Sequence, residues 1–279
     1  MLFRSGRVAA LSKVLAKEHK RLGGLLERWL EAHYAGAVLS PDEAGSVLQR
    51  LRAQDHEAAL RALDGKLPVR ELLAKLKFRE ELLGDEWLAS FEEAWDGGTL
   101  QGTELLSGAG LAIDFELPFS EAQSSFEAKA FTSALNYSDR ALAEARQTIL
   151  SGLSEGKTAK AIARDLQGVL TKHSQAQLET TVRTNINDAY NMGRREVGRR
   201  AGVYGLMFVN PLDEDTTPIC QELSGMVLPM GDERIGQWEP PFHYNCRTYQ
   251  TYVLEPGEVE DPFPPDDAAL VALLPEGFK

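Results

Sequence analysis

The chain has 279 residues, more than one compact domain normally holds, with an ordinary globular balance of 43% hydrophobic and 26% charged residues. Its formal net charge of −12 at pH 7 excludes a general nucleic-acid coat, and no apolar run approaches the roughly 18 residues that span a bilayer. Two cysteines give no disulfide framework, which fits synthesis in a reducing cytoplasm.

The first segment is basic and amphipathic, with Leu11, Val14, Leu15, Leu22, Leu25, Leu26 and Trp29 recurring at helical steps. It lacks a continuous apolar core and a small-residue cleavage site. Glu18 and Glu27 also argue against a transit peptide, so it is expected as a helix of the mature chain. A second helix is expected from Ser40, with Pro41 at its first position and Glu43 completing a capping box. The periodic stretch from Leu67 is expected to stop at Gly97-Gly98. Residues 99–119 are glycine-rich and lack a helical period, so they read as a linker, with a short strand over 111–117. Helices resume at Ser120 and continue through "KTAKAIARDLQGVL", with Thr158 as a cap, to Gly202.

The last of these helices carries two arcs. Val182, Ile186, Ala189, Gly193 and Val197 fall on one apolar face. Arg183, Asn187, Asn191 and Arg194 form a neighbouring polar arc, placed either to anchor the segment that follows or to lie in solvent. Its end is basic, and Arg195, Arg199 and Arg200 are candidates for contact with DNA phosphates. The competing reading, that they complement the helix dipole and the acidic tail, is favoured because no aromatic stacking platform is interleaved with them.

After Gly202 the texture becomes β-rich. "VYGLMFVNP" and "RTYQTYVLEP" read as strands, and "SGMVLPMG" as a hairpin arm. Between them lie Cys220, His243 and Cys246 in a C-x22-H-x2-C pattern. Thiolate and imidazole are preferred zinc ligands; Asp213 or Asp215 could supply the fourth, or a water could occupy it. Three other readings stand beside zinc. They are a Cys220–Cys246 disulfide, a Cys–His nucleophile oriented by Asp213 or Asn245, and a purely structural cluster in which Arg247 pairs with Asp213 or Asp215. Residues 255–279 hold seven acidic side chains, one lysine and five prolines, and are expected to be a tail that buries little, extended or docked on a partner.

Four stretches in this order, "GKTAKAIARDL" (156–166), "RTNINDAYNMGR" (183–194), "DEDTTPICQELSG" (213–225) and "PPFHYNCRTY" (240–249), resemble the phage Mu F-like head-morphogenesis domain of minor head proteins in tailed bacteriophages. The resemblance spans about residues 120–254. Asn185 stands where the family often has glutamate, Phe208 where it often has tryptophan or tyrosine, and Thr248 where it often has a further cysteine. The resemblance implies a non-enzymatic minor capsid protein, made in the host bacterial cytoplasm and carried in the virion near the portal vertex. Its implied partners are portal, major capsid or scaffolding proteins and packaged DNA, with no membrane.

The chain is therefore expected to be α+β and predominantly α-helical. A helical region (1–98), a linker (99–119), the Mu F-like domain (120–254) with its small β-rich C-terminal module, and the tail (255–279) follow one another. The alternative function is a zinc-dependent hydrolase or nuclease built on Cys220, His243 and Cys246.

Overall fold

The computed structural model describes residues 3–34, 39–53, 55–64 and 66–275. Among these the fold is α+β and mostly helical. Helices α1 (Phe3–His33), α2 (Pro41–Arg52), α3 (His56–Asp64), α4 (Val69–Lys75), α5 (Glu80–Gly108), α6 (Gln123–Ser154) and α7 (Ala159–Ala201) precede a three-stranded antiparallel sheet. The described residues divide into two compact units, neither of them a single stretch. One comprises residues 8–86 with 129–178, and the other 87–128 with 179 onward and the start of α1.

In the first unit the helical spacing read from the sequence places Leu11, Leu15, Leu22, Leu26 and Trp29 in the core. The α2 capping box is present: the Glu43 amide donates to the Ser40 hydroxyl, and the Ser40 amide to the Glu43 carboxylate at 2.8 Å. This helix ends at Arg52. Asp55 then caps α3 by accepting from the Ala58 amide at 3.0 Å. A second break separates α4 from α5. The fully buried Glu18 carboxylate accepts from the Arg79 amide (3.2 Å) and side chain, and from Arg21, while Leu76 and Phe78 are buried. That tertiary anchor outweighs the local helical period. Burial works to raise the Glu18 pKa, but the two arginines hold it below the usual carboxylate value.

In the second unit α5 continues through Gly97-Gly98 to Gly108, where the sequence suggests a linker. A side chain at Gly98 would sit 2.1 Å from the Tyr190 carbonyl oxygen, and one at Gly193 would sit 2.7 Å from the Trp95 carbonyl oxygen. These glycines let α5 and α7 approach backbone to backbone, so here they join helices rather than end one. Residues 111–117 form no strand. The Leu117 carbonyl at their end accepts from the Trp95 indole of α5 at 3.0 Å.

The sheet runs in the order β2 (Val227–Pro229), β1 (Gly205–Val209), β3 (Tyr249–Val253), with Leu206 opposite Leu228 on one side and Tyr252 on the other. Under it lies a core of Phe208, Ile219, Leu223, Trp238, Phe242 and their neighbours. The acidic tail is not a free arm within its described part. Residues 261–263 bond along β2, Phe263 and Leu270 are buried in this core, and the Trp238 indole donates to Asp267 at 2.7 Å. Most of its described acids are exposed, while Phe263, Leu270 and the Asp267 carboxylate anchor it. Residues 276–279, including Glu276, lie outside the described residues.

Candidate metal centre

Cys220 sits on the short helix α8 (Pro218–Leu223), which follows the loop 210–217. That loop is shaped by Asp213, whose Oδ1 accepts from the Asp215 amide (3.1 Å) and the Thr216 hydroxyl (3.0 Å). His243 and Cys246 are the two ends of a tight turn closed by the Cys246 amide donating to the His243 carbonyl at 3.2 Å. Within this turn Asn245 takes a left-handed φ of 60°, a conformation asparagine tolerates better than most residues. Its amide donates to the Thr184 hydroxyl of α7 at 3.1 Å. The turn brings the imidazole and the second thiol to one side, facing α8.

The three ligand atoms lie within 4.8 Å of one another. Cys220 Sγ is 3.2 Å from His243 Nε2 and 3.9 Å from Cys246 Sγ, far beyond an S–S bond of about 2.05 Å, so both thiols are free. His243 Nδ1 lies 2.8 Å from the Tyr244 carbonyl oxygen, which can only accept. Nδ1 therefore carries the hydrogen, and in the neutral ring Nε2 turns its lone pair toward Cys220. The Thr248 hydroxyl lies 3.1 Å from Cys220 Sγ and also touches the Asn210 side-chain amide. The hydrogen bond from Cys220 holds the Cys246 thiol below its usual value, and the same bond together with burial pushes Cys220 up. A small pocket opens on the Cys220–His243 side, lined also by Asn210, Asp215, Thr216, Thr217, Arg247 and Thr248.

Asp213 stands outside this cluster. Its carboxylate pairs with both terminal nitrogens of Arg247, with Nη1 to Oδ2 at 2.7 Å, and that partner holds its pKa down to about 2. The exposed Asp215 lines the pocket without joining the three-residue cluster.

Of the polar arc on α7, Asn187, Asn191 and Arg194 are buried, and Arg183 is exposed beside Glu179. The Asn187 side-chain amide donates to the Thr248 carbonyl at 3.0 Å. Asn191 Oδ1 accepts from the Gln250 amide at 3.1 Å, so α7 occupies the otherwise open edge of β3. The Arg194 guanidinium lies among the rings of Tyr190, Tyr249 and Tyr252, 5.5–5.9 Å from their centres. The three candidate DNA contacts all face carboxylates of the chain itself: Arg195 pairs with Glu239, Arg199 with Glu196, and Arg200 with Glu196 and Glu121. Sequence reasoning gave Thr184 no role and met Thr248 only as the position where the family often has a further cysteine, not as a partner of Cys220.

Among known proteins, residues 143–251 match the family model described as Phage Mu protein F like protein. No curated protein and no solved structure matches the chain.

Proposed function

We propose, from the match of residues 143–251 to the Phage Mu protein F like family model, that the chain is a minor head component acting in capsid assembly. The proposed place is near the portal vertex, after synthesis in the host cytoplasm. Portal, major capsid or scaffolding proteins are the proposed partners. No described helix is long and apolar enough to cross a membrane.

What supports an assembly role is the use made of the motif residues. Asn187 and Asn191 hold the edge of β3, Arg247 ties the end of the module to Asp213 at its start, and Cys220 and Cys246 lie in the core under the sheet. The matched segment thus commits its polar motif to building a small rigid module, as a docking element requires. A contact with packaged DNA through Arg195, Arg199 and Arg200 has less support, because carboxylates of the chain itself stand beside each guanidinium and offset the positive charge it would offer to phosphates.

Co-expression with the portal protein of the same phage genome, followed by size-exclusion chromatography, tests the role. Co-elution of the two chains is expected. A chain that elutes alone, both from portal and from assembled procapsids, contradicts the proposal.

A further inference from the structure

We propose that Cys220, His243 and Cys246 hold one zinc ion, which clamps α8 to the 243–246 turn, with the fourth position open to the pocket beside Cys220 and His243. This inference stands apart from the assembly role and rests on distances. An ion bound at about 2.3 Å to sulfur and about 2.05 Å to nitrogen in a tetrahedron separates its ligands by about 3.8 Å (S to S) and about 3.6 Å (S to N). The protein holds Cys220 Sγ 3.9 Å from Cys246 Sγ and 3.2 Å from His243 Nε2, so both edges from Cys220 lie close to these values, and the three ligand atoms together span no more than 4.8 Å.

The surroundings are those of a ligand set. His243 Nδ1 is fixed on the Tyr244 carbonyl, which orients the ring and directs Nε2 to the ion; metal-binding imidazoles are held in this way. The Thr248 hydroxyl is placed to donate to Cys220 Sγ. It has a single hydrogen, so it can serve a thiolate only if the Asn210 amide turns an N–H toward Oγ1. Asn210 Nδ2 is buried without a hydrogen-bond partner and can do so. On binding, both thiol protons leave to solvent, and the two thiolates and the neutral imidazole leave the site with no net charge. The fourth corner is given to solvent. Asp213 is taken by Arg247, and the pocket that would admit a water is lined by Cys220 and His243 but not by Cys246.

The test uses the full-length protein without a polyhistidine tag. Elemental analysis is expected to give about one zinc per chain, lost in Cys220→Ser, His243→Ala and Cys246→Ser. Since such variants can misfold, the wild-type protein is also stripped with chelator and titrated with cobalt(II). Thiolate-to-cobalt charge-transfer bands and the intense visible absorption of a four-coordinate site are expected. Thr248→Val should keep that spectrum while binding zinc about 10- to 100-fold more weakly. Zinc well below one equivalent with only weak six-coordinate cobalt absorption overturns the proposal. So does a freshly purified chain whose mass and peptide map show a Cys220–Cys246 disulfide.

Discussion

His19 is buried on α1 with its ring edge toward Phe78, 5.9 Å between centroids, and no hydrogen-bond partner for Nε2. Burial lowers its pKa from 6.5 to about 4, with Glu18 pulling the other way. Between those values the unfolded chain binds more protons than the folded one. The stability due to a neutral His19 is therefore complete above about pH 6.5 and is lost as the pH falls toward 4. By pH 4 the loss amounts to about 3 kcal/mol. Urea titrations at pH 7 and pH 4 are expected to show a smaller drop in stability for His19→Phe than for the parent; an equal drop in both contradicts the assignment. At the same scale, Ser40→Ala removes one half of the α2 capping box and should cost about 1 kcal/mol in thermal or urea unfolding.

Glycine decided where the sequence misled at the scale of elements. By intrinsic propensity, Gly97-Gly98 ends a helix, and nothing local distinguishes a terminator from a close-packing position. The difference lies in α7, far away in sequence. Gly98 meets the Tyr190 carbonyl and Gly102 meets Val197 of α7 and Tyr252 of β3, while Gly193 of α7 meets Trp95 and Thr99 from the other side. Two substitutions within α5 separate the cases. Gly84 faces open space, so Gly84→Ala should stabilise by up to about 1 kcal/mol through propensity alone. Gly98→Ala gains the same propensity but puts a methyl against backbone, and should destabilise by about 2 kcal/mol or more. Thermal melts of the two variants that shift the same way would falsify the packing account. The strands were legible because β1 and β3 carry aromatic and β-branched residues between turn signals. The Ser40 and Thr158 caps were legible because capping is local; the Ala161 amide donates to the Thr158 hydroxyl at 3.3 Å. The breaks after α2 and α4 were less legible, since the second depends on Glu18 reaching a residue 61 positions away.

For the whole molecule, a net charge of −12 with a strongly acidic, proline-rich end suggested a tail that buries little, because composition averages over the few residues that bind. Phe263 and Leu270 bury themselves beside Trp238 and Phe242; of the two acids between them Asp266 stays exposed and Asp267 accepts from the Trp238 indole. A chain ending at residue 258 should therefore expose the Trp238 core. Its tryptophan emission is expected to shift to longer wavelength and its C-terminal module to unfold at lower temperature than the parent's; unchanged emission and melting contradict the docked tail. Of the candidate site, the sequence showed which side chains could meet, because Cys and His are rare in this chain. It could not show that Arg247 would claim Asp213 or that Thr248 would stand against Cys220, since both depend on how the 240–249 segment folds back over the loop at 210–217.

The assembly role is tested most directly by quantitative mass spectrometry of purified proheads and DNA-filled heads from the phage that encodes this chain. Peptides of the protein are expected in both particles, at a few copies against hundreds of the major capsid protein. Their absence from proheads and filled heads alike, with the protein abundant in the lysate, would contradict it.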